Sequence, residues 1–178
     1  MKNTVKLTKF ITATGMLSAI SVVLYTYFEF PILPAYAFLQ YDFSDVVAII
    51  GGIFIAPIAG ILIQVLKNII HFFIKNSAGG IGELANLLTG LLFIVPVIFL
   101  FKKMKFYSFI IGSLSFIIGA LILNYFIFLP LYGVPDEARM EMLKFGILPF
   151  NAIKSVITST VTILLWRLLL PFKKIFEV

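Results

Sequence analysis

Basic residues punctuate this chain at three places, and acidic residues fall at the places between. Lys2, Lys6 and Lys9 precede the first apolar run, Lys102, Lys103 and Lys105 sit in a middle connection, and Arg167, Lys173 and Lys174 close the chain. Glu29, Asp42, Asp45, Asp136, Glu137 and Glu141 occupy the alternate connections. Cytoplasmic loops of membrane proteins carry the excess of Lys and Arg, so the pattern predicts cytoplasmic N- and C-termini and an even number of spans. Of 178 residues, 61% are hydrophobic and 12% charged, with a mean hydropathy of +1.11, far too apolar for a soluble domain of this length. The apolar runs are continuous rather than alternating, which argues against a β-barrel and for helices in a lipid bilayer. The net charge of +6 therefore reflects topology and gives no reason to expect nucleic acid as a partner. With no cysteine and one histidine, disulfides, thiolate chemistry and the common multi-His metal sites are excluded.

The expected fold is all-α, an integral membrane six-helix bundle forming a single transmembrane domain over residues 1–178. Its spans are placed at about residues 8–28, 44–54, 57–75, 82–101, 106–129 and 142–170. The first run, Thr8 to Phe28, is longer than the apolar part of a usual signal peptide, and Ala35-Tyr36-Ala37 lies well past its end, so it is kept as a helix. Pro31 and Pro34 stop that helix and impose an extended loop. Asp42 or Ser44 can cap the next helix. Asp45 to Lys75 is too long for one ordinary span, and Gly51-Gly52 with Pro57 are expected to break it into a short second helix and a third. Interrupted segments of this kind often border binding sites in transporters.

Tyr41 to Asn86 crowds polar residues into sequence otherwise fit for lipid, where ionisable groups cost several kcal/mol and by default mark a site. On the third helix Gln64, Lys67, Asn68, His71 and Lys75 recur at helical spacing, and Glu83 and Asn86 form an i, i+3 pair at the start of the fourth. The sixth repeats the pattern with Asn151, Lys154, Ser155, Thr158 and Thr162, while Asn124 stands alone near the end of the fifth. At 1.5 Å per residue, Asn124, Asn151 and Lys154 lie roughly 8–15 Å below the outer surface and can meet in one cavity open to that side. Lys67, Asn68 and His71 read first as helix-joining hydrogen bonds, with Lys67 as a partner for Glu83. Asn124, Asn151 and Lys154 read first as ligand contacts, because Lys154 has no acid nearby in sequence. Such a set suits a planar ligand with carbonyl and imide edges, with Tyr36, Phe38, Tyr41, Phe43 and Tyr125 available to cover a ring face. On the first helix Thr14 and Ser18, and Gly15 and Ala19, form overlapping small-residue pairs that suit close helix approach, either within the bundle or to a partner. The glycines at Gly79, Gly80 and Gly82 lack the Gly-Lys-Ser/Thr of a P-loop, and no catalytic constellation emerges.

Tyr41-Asp42-Phe43-Ser44-Asp45, Gly51-Gly52, Pro57-x-x-Gly60, Lys67-Asn68, His71, Gly82-Glu83-x-x-Asn86 and Asn151-x-x-Lys154 together resemble the riboflavin-specific substrate-binding subunit, or S-component, of energy-coupling-factor (ECF) transporters. The resemblance covers nearly the whole chain. It implies a multi-pass protein of the bacterial cell membrane that captures riboflavin with high affinity and has no enzymatic activity, no catalytic residues, no metal and no cofactor beyond the vitamin it carries. It further implies that Asn124, Asn151 and Lys154 bind the pyrimidine edge of the flavin and that Leu39, Tyr41, Gly82 and Glu83, with Asn86, enclose the ligand. By the same resemblance Gly15 and Ala19 contact the transmembrane coupling subunit, and two cytoplasmic ATPase subunits complete the transporter. Gly15 stands where the family usually has alanine. The alternatives are an S-component for another vitamin, and a stand-alone secondary transporter or intramembrane enzyme in which Lys67, His71 and Glu83 would relay protons.

Overall fold

The structure is a computed structural model that describes residues 2–75 and 77–172; Asn76, Lys173 and Lys174 lie outside the described residues. Six helices make up the bundle: α1 Lys2–Tyr27, α2 Ser44–Phe54, α3 Pro57–Ile74, α4 Ile81–Met104, α5 Tyr107–Leu131 and α6 Asp136–Phe172. Five are long and apolar enough to cross a membrane, and α2 is the short exception among the described residues. Exposed Ile11, Met16, Ile20, Phe99, Ile110, Leu114 and Ile118 make the outer surface apolar, as lipid contact requires.

Lipid tails are as apolar as the side chains they meet, so burying Leu or Ile does not by itself draw these helices together; close backbone approach and polar contacts must do it. Three glycines show how. A Cβ on Gly60 of α3 would stand 2.7 Å from the Ala48 carbonyl oxygen and 3.0 Å from the Gly52 Cα of α2. Gly51-Gly52 therefore does not break the chain: both lie inside α2 and let α3 and α4 press against it. The break comes at Ala56, which is extended, with Pro57 opening α3 at a position where its missing N–H costs nothing.

Polar contacts supply the rest. On α1, Thr14, Ser18, Ser21 and Tyr25 recur four, three and four residues apart and are all buried. Ser21 Oγ donates to the Ser44 carbonyl at 3.1 Å and so ties α1 to the start of α2. At the centre, Ala48, Ile49, Ile63, Ile94, Val97 and Phe116 form a closed core.

Both α5 and α6 widen by one residue for a single turn. Leu129 N–H bonds to the Asn124 carbonyl and Leu148 N–H to the Leu143 carbonyl, each five residues back. A proline follows each widened bond directly, Pro130 and Pro149. The proline ring would clash with the carbonyl four residues earlier, and the π-turn relieves that contact. The sixth helix also begins earlier than expected, at Asp136 rather than near Met142, because Asp136, Glu137 and Arg139 build a polar first turn before the apolar run. The segment between α1 and α2 is pinned twice. Phe30–Pro31 pairs antiparallel with Gln40–Tyr41, and Tyr36 lies on Gly146 of α6, where a Cβ would approach the ring to 2.9 Å.

Candidate functional site

Between the α1–α2 segment and the helices lies a cavity of about 580 Å³, within the range that holds a drug-sized ligand. The early polar turn of α4 brings Gly82, Glu83 and Asn86 to it, α5 brings Asn124, and α6 brings Asn151 and Lys154. Leu39 and Gln40 close it from the α1–α2 segment. Seven of the eight substrate-binding residues expected from the sequence thus share one wall system. Tyr41 does not line it. That side chain is fully buried behind the wall, its phenol 3.4 Å from Thr158 Oγ1, and burial pushes its pKa up to about 12.

The π-turn carries Asn124 to the cavity. Its Nδ2 donates one hydrogen to the Ala120 carbonyl at 2.7 Å, which leaves the second N–H and the amide oxygen for a ligand. Asn151 makes no side-chain hydrogen bond among the described residues, so its donor and acceptor both remain available. Lys154 is buried, with its ammonium at the cavity wall 3.1 Å from Asp45 Oδ2. The other oxygen of the same carboxylate, Asp45 Oδ1, accepts a 2.5 Å hydrogen bond from Lys67, which also donates to Ser44 Oγ. The expectation that Lys67 neutralises Glu83 is thereby corrected. The acid that serves both lysines stands on α2, remote in sequence from Lys154, and only the fold reveals the pairing.

Glu83 has a different partner. His71 Nδ1 lies 3.0 Å from Glu83 Oε1, and the Tyr25 ring stacks on the imidazole with centroids 3.8 Å apart. Lys67 Nζ sits 5.4 Å from the centre of the same tyrosine ring. Lys67 is therefore bonded to Asp45 and Ser44 while His71 is bonded to Glu83, and the three do not form one hydrogen-bonded chain. Nearer the rim, Lys75 pairs with Glu29. Tyr132 also faces the cavity; burial first, and then the Glu83 carboxylate, raise its pKa, so the phenol stays a hydrogen-bond donor.

The ring-covering aromatics differ from those expected. Of Tyr36, Phe38, Tyr41, Phe43 and Tyr125, Phe38 alone lines the cavity. Tyr41 and Phe43 pack edge to face on each other, and Tyr125 does the same with Phe126. The flat surfaces present instead are Tyr25, Phe116, Tyr132 and Phe150. Tyr25 had a legible signal, its place in the buried polar stripe of α1. Phe116 and Phe150 had none, since an aromatic in an apolar run looks the same facing lipid or ligand.

Gly15 and Ala19 lie on the other side of the bundle's first helix. Both are exposed, nothing approaches a Cβ built at Gly15 within 4 Å, and Thr14 and Ser18 take the inward positions. The two overlapping small-residue pairs thus separate, one packing internally and one facing out.

A bundle of apolar helices around a ligand-sized cavity, lined mostly by apolar side chains with a few convergent polar groups, is the architecture of a membrane-embedded small-molecule-binding protein. Residues 9–166 match the family model of the substrate-specific component of ECF transporters. The chain belongs to that family, and is a multi-pass protein of the bacterial cell membrane. It is 38% identical to the riboflavin transporter FmnP of Bacillus subtilis strain 168, over 92% of this chain and 93% of that protein. It is 36% identical to the riboflavin transporter RibU of Staphylococcus aureus strain TCH60, over 90% and 89%. Its fold matches the solved S component of a bacterial ECF transporter with a TM-score of 0.80 and 35% identity, covering 93% of this chain and 98% of the other. These relatives are transporters rather than enzymes.

Proposed function

We propose that this protein is the riboflavin-binding S-component of an ECF transporter, taking the vitamin up together with a transmembrane coupling subunit and two cytoplasmic ATPase subunits. The observation that carries the reading is the convergence of Asn124, Asn151 and Lys154, from two different helices, on one cavity of about 580 Å³. An Asn amide pairs a donor with an acceptor, as an imide edge does, and an ammonium suits a carbonyl or ring nitrogen beside it. Asn86, Gly82, Glu83 and Leu39 enclose the remainder. Riboflavin is then cargo rather than a cofactor, and the protein performs no chemistry on it.

Support for the coupling partner comes from Gly15 and Ala19, which leave a shallow outward strip on α1 where a second helix can approach closely. The basic residues at the α4–α5 turn and near both chain ends favour a cytoplasmic position for those ends, and a cavity at the opposite end of the bundle then opens outward. Uptake of labelled riboflavin into proteoliposomes tests the whole reading. Accumulation that needs the coupling subunit, the ATPases and ATP is the expected result; accumulation by this chain alone, following a proton gradient, contradicts it.

A further inference from the structure

We propose that Asp45 divides its carboxylate between Lys67 and Lys154, and that this division is what leaves Lys154 free to donate to a carbonyl or ring nitrogen of the bound flavin. The inference rests on the riboflavin reading above and assigns two residues that do not line the cavity. Lys67 is fully buried and Asp45 nearly so, and neither borders the cavity. Asp45 reaches a ligand through Lys154, and Lys67 reaches it through that shared carboxylate and through the Tyr25 ring 5.4 Å from its ammonium, so the double variant is what isolates the first route.

The physical reason lies in how many ammonium groups one carboxylate serves. Were Asp45 paired with Lys154 alone, the two would form a closed, neutral ion pair in a low-dielectric interior, and Lys154 would gain little by turning to a ligand. Lys67 prevents this closure. It holds Oδ1 at 2.5 Å and donates to Ser44 Oγ at 2.5 Å as well, so Lys154 is left with the looser contact to Oδ2 at 3.1 Å. The neighbouring acid is committed elsewhere: Asp42 Oδ1 accepts the Ser44 N–H at 2.8 Å and forms no ion pair with either lysine. Among the described residues, Asp45 is the acid within ion-pair distance of both. The arrangement holds Lys154 in place by a single contact and leaves its remaining donors for a ligand acceptor. Lys67 and Asp45 are thus positioning residues of the site.

Flavin fluorescence titration of the full-length, detergent-purified protein tests this with charge changes that touch no lining group. Lys67→Met gives Lys154 the whole carboxylate, and its riboflavin Kd rises roughly tenfold or more. Adding Asp45→Asn to Lys67→Met frees Lys154 again, so the double variant recovers to within about threefold of wild type, a non-additivity that packing alone would not produce. Lys67→Arg, which keeps the charge, recovers most of the affinity lost in Lys67→Met. Wild-type affinity in Lys67→Met, or a double variant at least as weak as the single, overturns the inference. Should Lys67→Met not yield a monodisperse protein, Lys67→Gln carries the same expectation. Absence of flavin binding by the unmodified protein would be a failure of the proposed function instead.

Discussion

His71 Nδ1 meets Glu83 Oε1 at 3.0 Å while the imidazole lies flat against Tyr25, so one buried contact joins α1, α3 and the first turn of α4. Removing one partner of a buried pair strands the other, and this is more costly than the pair's net worth. His71→Ala should therefore lower stability by about 1–3 kcal/mol. Glu83→Gln, which keeps an acceptor for the ring nitrogen, should cost less. Thermal unfolding in detergent checks the order; equal melting temperatures for His71→Ala and wild type would show that the contact is dispensable.

Two glycines on different helices should respond oppositely to alanine. Gly60→Ala places a methyl 2.7 Å from the Ala48 carbonyl oxygen, a backbone atom that cannot swing away, and should destabilise the α2–α3 contact by about 1–3 kcal/mol. Gly15→Ala meets nothing within 4 Å and removes a helix glycine, so its stability should be unchanged or raised by up to about 1 kcal/mol. Parallel melting curves that show equal losses would contradict the packing described.

Outward placement of Gly15 and Ala19 separates ligand capture from assembly. Gly15→Leu with Ala19→Leu should leave riboflavin affinity at the wild-type value and abolish co-purification with the coupling subunit. Unaltered assembly would mean that the strip faces lipid alone.

Contacts to the cavity wall should show directly in affinity. Asn151→Ala removes a donor and an acceptor that no other described group uses, and Lys154→Ala removes a charged donor. Losses of roughly tenfold for the first and tenfold to hundredfold for the second follow from typical neutral and charge-assisted hydrogen bonds. Isothermal titration on both variants decides; wild-type affinity in both would place the ligand elsewhere.

Much of the bundle was legible from local chemistry. Pro57 marked the start of α3, and helical spacing grouped Gln64, Lys67, Asn68 and His71, all of them buried. What remained hidden was relational. Nothing in the stretch around Lys154 announces Asp45 as its partner, because the acid arrives from another helix through the fold. Gly51-Gly52 looked like a break, yet tight helix packing and chain breaks draw on the same lack of a side chain, and here packing won. Tyr41 looked like a ring-covering loop aromatic, but the Phe30–Pro31 and Gln40–Tyr41 pairing turns it inward. The π-turns depend on how Pro130 and Pro149 are accommodated, which a periodicity reading does not resolve.

The measurement that tests the central claim most directly is quenching of riboflavin fluorescence by the purified, flavin-free protein. Saturable quenching at about one flavin per chain, weakened in Asn151→Ala and Lys154→Ala, is the result expected of a flavin held in this cavity. Fluorescence that stays unchanged as properly folded protein is added would contradict it.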